Sequence, residues 1–279
     1  MNANEKTRVL VIGAAGNVGG QVCAQLAAAG ADVRAATRRP ELVEKGRHIE
    51  PAAVDLTDPD SLARAVDDID AVFLIWPFFD AEEDARRKVA PIAEILGNSV
   101  PRVVYLSSQG VEKDRRNFWS VVEDAVADRV GEWTMLRPTG FAANARQWIP
   151  QLAEGDVVRW PLGRMARPLI HESDIAAVAV VALLHDGHAR EDIVITGPEL
   201  ISQEAQIHAI GAATGRDLRW EELSRDQAAA EFGLPDMMLD AWEGFISDPE
   251  PITDEVGRLT DRPALSFGEW AREHADDFR

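Results

Sequence analysis

The chain has 279 residues, room for one large domain or two modest ones, and its 46% hydrophobic and 28% charged residues exclude disordered, collagenous and low-complexity classes. Asp and Glu number 48 against 29 Lys and Arg, a net charge of −19, and the only lysines are Lys6, Lys45, Lys88 and Lys113. A field of that sign repels phosphate backbones and anionic lipid heads, so a small-molecule partner is expected, with no nucleic acid and no membrane.

In chain order, the opening segment MNANEKTRVLVIG lacks the apolar run of a signal peptide. Arg8–Gly13 reads as a buried parallel strand and Val18–Ala29 as a helix closed by Gly30. The single cysteine, Cys23, lies in that helix; it excludes an internal disulfide and a cysteine-rich metal site, and its apolar setting marks a buried thiol. Strand-like runs follow at Asp32–Thr37, Ile49–Asp55, Ala71–Ile75, Arg102–Ser107 and Trp133–Arg137, with helical sequence between them. Thr57-Asp58-Pro59-Asp60 carries a helix start, a capping residue ahead of proline in the first turn. This alternation predicts βαβ units and an α/β, doubly wound parallel sheet, and near-continuous apolar strands suit a sheet covered on both faces.

After Pro138 the rhythm changes. Residues 140–168 read as irregular and rich in Trp, Gly and Pro, and 170–174 lead into an Ala/Val-rich helix at 175–184. That run is far short of the ~20 residues a membrane span needs, so a cytoplasmic protein, monomer or homodimer, is expected. Asp192–Thr196 offers one more strand, and the pattern from Ser202 onward is helical. The expected organisation is a nucleotide-binding body over 1–150, completed by about 166–196. A small, mainly helical substrate lobe over 197–279 takes in about 140–165.

Gly13-Ala14-Ala15-Gly16-Asn17-Val18-Gly19 stands between the first strand and the first helix. Glycines there serve a tight turn, close approach to a pyrophosphate and close helix–strand packing, and the helix N-terminus offers free N–H groups and positive dipole. With that context the body reads as a Rossmann domain, Gly13, Ala15, Gly16, Asn17, Val18 and Gly19 surrounding the dinucleotide. An NAD enzyme usually carries an acid at the tip of the second strand, but Arg34-Ala35-Ala36-Thr37-Arg38-Arg39 has none. Arg38 and Arg39 suit a 2′-phosphate through charge-assisted bonds, so NADP(H) is expected over NAD(H).

The GxxGxxG spacing resembles the extended and atypical branches of the short-chain dehydrogenase/reductases. Further segments carry the likeness: Asp55-Leu56, Val72-Phe73-Leu74-Ile75-Trp76-Pro77, Arg102 to Val111 with Ser107-Ser108, and Trp133 to Phe141 (WTMLRPTGF) with Asn144. His171-x-x-Asp174-Ile175-Ala176 and Thr196-Gly197-Pro198-Glu199 complete it. Together they resemble the NmrA-like atypical short-chain dehydrogenase/reductases, near the triphenylmethane and quinone reductase subgroup. The resemblance implies that Asp55 and Leu56 meet the adenine and that Trp76 lies along the cofactor. That family holds both reductases and catalytically silent NADP-sensing regulators.

Ordinary short-chain reductases use Tyr-x-x-x-Lys, a phenol acid beside a lysine. Here the only tyrosine, Tyr105, sits inside the fifth strand with Gln109 four residues on, and the expected helix Asn117–Val130 holds no lysine. Three consequences stay open: an acceptor that takes hydride without a protein acid, a different proton donor, or cofactor binding without turnover. Ser107, Glu123 and His171 are the catalytic candidates, with Ser108 and Lys113 behind them. A Ser108/His171/Asp174 hydrolase fails for lack of a GxSxG elbow, and no metal site is expected. The leading function is an NAD(P)H-dependent reductase of a small apolar, aromatic, quinone-like or conjugated substrate. The alternatives are a non-catalytic NADP(H)-sensing regulator that binds a protein, and a non-redox cyclase, dehydratase or epimerase. Eight tryptophans against one tyrosine favour a flat ligand, framed by Trp76, Phe78, Trp119, Phe141, Trp148 and Trp160, with Trp242 in the tail.

Overall fold

The structure, a computed structural model, describes residues 6–279. The chain forms two compact units: one runs to Pro138 and takes in Glu172–Ile195, the other comprises Thr139–His171 and Thr196–Arg279. In chain order the first unit begins β1 (Arg8–Ile12), α1 (Asn17–Ala28), β2 (Asp32–Thr37), β3 (Ile49–Ala53), α2 (Pro59–Ala65), β4 (Ala71–Ile75) and α3 (Glu82–Ser99). It continues with β5 (Arg102–Leu106), α4 (Gly110–Lys113), α5 (Phe118–Arg129) and β6 (Glu132–Pro138). The second unit then supplies α6 (Ile149–Leu152), β7 (Val157–Trp160) and β8 (Ala166–Arg167) before the first closes with α7 (Glu172–Leu184) and β9 (Glu191–Ile195). The rest of the second unit is β10 (Ile201–Ser202), α8 (Gln203–Thr214), β11 (Arg219–Glu222), α9 (Arg225–Phe232), α10 (Asp236–Ser247), α11 (Glu255–Thr260) and α12 (Phe267–Glu273).

The first unit carries a parallel sheet of seven strands in the order β3-β2-β1-β4-β5-β6-β9, the doubly wound α/β architecture read from the sequence. The central strands β1, β4 and β5 are apolar on both sides because helices cover both. Leu10, Ile12, Val72, Leu74, Val103, Tyr105 and Met135 pack on α2, α3 and α5. The alternate set, Val9, Val11, Phe73, Val104 and Leu136, is fully buried beneath α1 and α7. Burying each Leu, Ile or Phe side chain stabilises the fold by about 1.5–3 kcal/mol. α1 presents Val18, Val22, Cys23 and Leu26 along one stripe and ends at Gly30, whose φ of +87° is a left-handed turn that side-chain-bearing residues rarely adopt. α7 starts at Glu172, three residues earlier than the sequence suggests, and draws Glu172 and Asp174 into its first turn. All seven strands being parallel, Gly13, Arg38, Asp55, Trp76 and Ser107 follow strand ends along one edge of the sheet, where open α/β sheets bind ligands.

The second unit is built around Trp148, Trp270, Phe267 and Phe278 with Ile207 and Ile210 of α8. The sequence left 157–160 irregular and 219–222 helical; instead β7 and β11 pair in parallel, Val157 opposite Arg219 through Trp160 opposite Glu222. β8 and β10 form a second, antiparallel pair. Four-residue and two-residue strands are too short to show a period-2 pattern, and their pairing is fixed by a partner segment distant in sequence rather than locally. Among the described residues no helix is long and apolar enough to cross a membrane.

Candidate active site

The turn after β1 is shaped for a phosphate. Gly13 has φ +85°, and the N–H groups of Gly13 and Ala14 donate to the Ala36 carbonyl at 3.0 and 3.1 Å, tying the turn to β2. Gly16 is the N-cap of α1 and has no side chain to satisfy the first helical N–H groups; the first turn also contains no acid. Ala15, Gly16 and Asn17 are exposed. Gly19 packs so closely that a Cβ there would lie 2.1 Å from the Gly13 carbonyl oxygen. Uncapped N–H groups, positive helix dipole and a backbone that admits no side chain fit a dinucleotide pyrophosphate.

Arg38 and Arg39 follow β2 and are exposed, and among the described residues neither is held in an ion pair. Asp55, after β3, accepts from the Thr57 N–H at 2.9 Å and hydroxyl at 2.8 Å; these two bonds, with Arg38 adding its charge, hold its carboxyl below the usual range. Leu56 is buried in the core beneath.

At the end of β5 the structure joins two predicted residues and adds a third. The Ser107 hydroxyl donates to Glu123 Oε1 at 2.6 Å. Arg137, from β6, reaches the same carboxylate with two donors, Nε to Oε1 at 2.9 Å and Nη2 to Oε2 at 2.8 Å. All three side chains are buried. Burial opposes the charge on Arg137, but the bonds to Glu123 and the nearby Asp192 and Glu112 outweigh it and raise its pKa above the usual arginine value. The sequence offered Glu123 as an acid or base; the geometry makes it a bidentate ion-pair partner whose oxygens already accept four donors, the fourth being Arg115 Nη1 at 3.5 Å. The adjacent register of β5 and β6, Leu106 opposite Leu136, sets Ser107 beside Arg137. Glu123 was read from sequence only as a catalytic candidate, and its burial, which demands a facing cation, emerges from the packing of α5 on the sheet.

Tyr105 is fully buried in the core, and burial, aided by the charge of Glu123, holds its pKa well above the usual phenol value. His171 belongs to the second unit and is 1% exposed, with Nε2 3.3 Å from the Glu273 carboxylate.

The predicted aromatic residues divide in the same way. In the first unit Trp76 and Phe78 meet edge to face at 5.0 Å, and Phe118 and Trp119 lie 4.1 Å apart, with Phe78 and Trp119 half-buried at the core's margin. In the second, Phe141 is half-buried and bridges to Ile170. Trp148 is fully enclosed, edge to face with Trp220 at 6.0 Å, so it packs the core and presents no face to a ligand. Trp160 is buried behind Trp242, ring centres 6.2 Å apart, and of the two it is Trp242 that lines a cavity.

Comparison with known proteins fits this geometry. Residues 13–186 match the NAD(P)H-binding family. The chain is 35% identical to a (4-alkanoyl-5-oxo-2,5-dihydrofuran-3-yl)methyl phosphate reductase of Streptomyces griseus, over 97% of this chain and 99% of that one. It is 30% identical to an NAD(P)H azoreductase of Xenophilus azovorans, again over 97% and 99%. The structure of a Citrobacter triphenylmethane reductase complexed with NADP(H) superposes with a TM-score of 0.79 at 15% identity, covering 96% of this chain and 99% of that chain. The chain thus belongs to the NAD(P)H-binding family and is an oxidoreductase.

Proposed function

We propose that the protein is an NADPH-dependent reductase that delivers hydride to a small aromatic, quinone-like or otherwise conjugated molecule without a protein proton donor. The observation that carries this is the Ser107–Glu123–Arg137 cluster. Its one hydroxyl proton is already directed at a carboxylate locked to a guanidinium, so Ser107 offers lone pairs, not a proton, beyond the end of β5. Tyr105 is walled into the core with a raised pKa. An acceptor that becomes a stabilised anion on taking hydride needs no acid from the protein, and water supplies the proton afterwards.

When bound, reduced nicotinamide supplies the hydride. The residues at the strand ends do the rest. The glycine turn and the N-terminus of α1 hold the pyrophosphate, and Arg38 with Arg39 hold the 2′-phosphate, which is what favours NADPH over NADH. Ser107, oriented by Glu123 and Arg137, accepts a hydrogen bond from the bound ligands and fixes their position. Phe78 and Trp119, half-buried at the margin of the core, offer apolar aromatic surface, with Trp76 packed behind Phe78. The azoreductase and phosphate reductase names of the two relatives, both for conjugated acceptors, support the same class.

The test is NADPH oxidation across quinones, azo dyes and enones. Turnover of at least one class is expected, with NADPH binding tighter than NADH. Tight cofactor binding with no oxidation of any acceptor would contradict the reductase reading and favour a regulator.

A further inference from the structure

The sheet edge opposite the glycine turn frames a cavity of about 410 Å³ in the first unit, to which the reading above gives no role. Arg8, Asp32 and Ile49, the first residues of β1, β2 and β3, line it together with Arg34 and residues 45–50. Small-molecule sites usually measure about 300–1,000 Å³. The segment that carries most of the wall is held in place. Gly46 and Ile49 form an antiparallel bridge, the Gly46 N–H donating to the Ile49 carbonyl at 3.1 Å, so Arg47 and His48 stand at the tip of a two-residue turn. The Val33 N–H donates to the His48 carbonyl at 2.8 Å, and His48 Nδ1 lies 2.8 Å from Asp32 Oδ1, fastening that turn to β2.

Charge inside the cavity is unevenly matched. Arg8 is occupied, its guanidinium by Asp68 and its N–H by Asp70, and Asp32 is met by His48 and, at 4.0 Å, by Lys6. Arg34 has no acid. Its Nη1 donates to the Ala65 and Asp67 carbonyls at 2.7 and 2.9 Å, at and just past the end of α2. Its Nε and Nη2 are thereby left without a protein acceptor among the described residues. Lys45 and Arg47 are exposed and, among the described residues, likewise unpaired. Three cations are thus left facing one carboxylate, Glu50, in a chain whose net charge is −19.

Guanidinium and ammonium groups converging on a concavity suit phosphate oxygens, Arg34 through a two-donor fork and Lys45 as a point charge. A monovalent anion would leave most of these donors unmet, whereas one with two or more charges matches them. The acidic exterior around the cavity repels extended polyanions, which leaves small ones. We propose that this cavity is a second anion site, for diphosphate either free or as the ester of a small molecule. A five-residue strand, about 16 Å long, separates it from the edge that carries the glycine turn.

The experiment is calorimetry with pyrophosphate, and separately with ADP, on protein saturated with NADPH so that the glycine turn is filled. Pyrophosphate is expected to bind and to raise the thermal unfolding midpoint. Binding of pyrophosphate alone assigns the free anion, and binding of ADP as well assigns the ester. Lys45→Ala with Arg47→Ala, both at exposed positions, is expected to weaken binding at least about tenfold, about 1.4 kcal/mol, and to leave NADPH affinity unchanged. Arg34→Gln is expected to weaken it several-fold; should that variant unfold, the exposed pair still decides. Failure of both anions to bind at NADPH saturation, or binding undiminished in the Lys45→Ala, Arg47→Ala protein, would overturn the proposal. Hydride transfer plays no part in it, so a protein that oxidises no NADPH would still keep the site.

Discussion

Glu123 is where charge and burial meet most sharply. A carboxylate 3% exposed is tolerable chiefly because Arg137 meets it with two hydrogen bonds and Ser107 with a third, with Arg115 adding a longer contact at 3.5 Å. Arg137→Met should therefore cost about 3–5 kcal/mol in urea unfolding, since it strands a buried charge, and Arg137→Met with Glu123→Leu should recover much of the loss. A loss below about 1 kcal/mol in the single variant, the size of an exposed pair, would contradict the cluster's role. Sequence reading could find Ser107 and Glu123 one at a time, because residue type and strand position are local properties. Arg137 lay in a quoted segment without a role, because its partner is set by strand register and helix packing. Cys23 shows the opposite case: its burial was plain from the helical stripe. Burial pushes its thiol up to about 12 from 9.0. The stabilisation from keeping that thiol protonated is fully present below pH 9 and declines as pH rises towards 12. Cys23→Ala should thus lose less stability than the native protein between pH 8 and pH 10, and native Cys23 should resist iodoacetamide until urea unfolds the chain. Rapid alkylation of the folded protein would refute its enclosure.

Among the elements, α1 and the turn before it were the most legible, since glycine spacing, flanking strand and apolar stripe all agree. The structure adds a ranking the motif cannot supply. A Cβ at Gly19 would lie 2.1 Å from the Gly13 carbonyl oxygen, whereas one at Gly16 would stand 3.3 Å from it. Gly19→Ala should weaken NADPH binding at least about tenfold, measured by fluorescence titration, with Gly16→Ala milder; the reverse order would mean the turn does not cradle the pyrophosphate. By the same titration Arg38→Ala should lower NADPH affinity and leave NADH affinity unchanged, and an equal loss of both would remove the 2′-phosphate assignment. The short strands β7, β8, β10 and β11 were not legible. Their pairing joins segments distant in sequence, and nothing in four residues such as Arg219-Trp220-Glu221-Glu222 distinguishes an edge strand from a helix turn.

For the molecule as a whole, the net charge of −19 acquires an address. Many arginines are committed to acids: Arg102 to Glu132 and Asp186, Arg159 to Glu221 and Glu231, Arg225 to Asp236, Asp240 and Glu243. Arg38 and Arg39 lie beside the strand ends of the first unit without such a pair among the described residues. The proposed anion affinity at the cofactor site is therefore local, resting on two guanidiniums and one helix end within an acidic surface. The fold followed from apolar strands alternating with amphipathic helices, which length and composition made affordable. The proposed chemistry rests on where the Ser107 hydroxyl points, an arrangement set by tertiary packing rather than by any local pattern. Deuterium at the reactive C4 position of NADPH, followed by mass spectrometry of the reduced acceptor, measures that chemistry most directly. With an enone acceptor the account requires one deuterium, transferred as deuteride, at a carbon of the product with stoichiometric NADP⁺. Conversion of the acceptor with the label retained in the cofactor would contradict hydride transfer and assign the protein to a non-redox reaction.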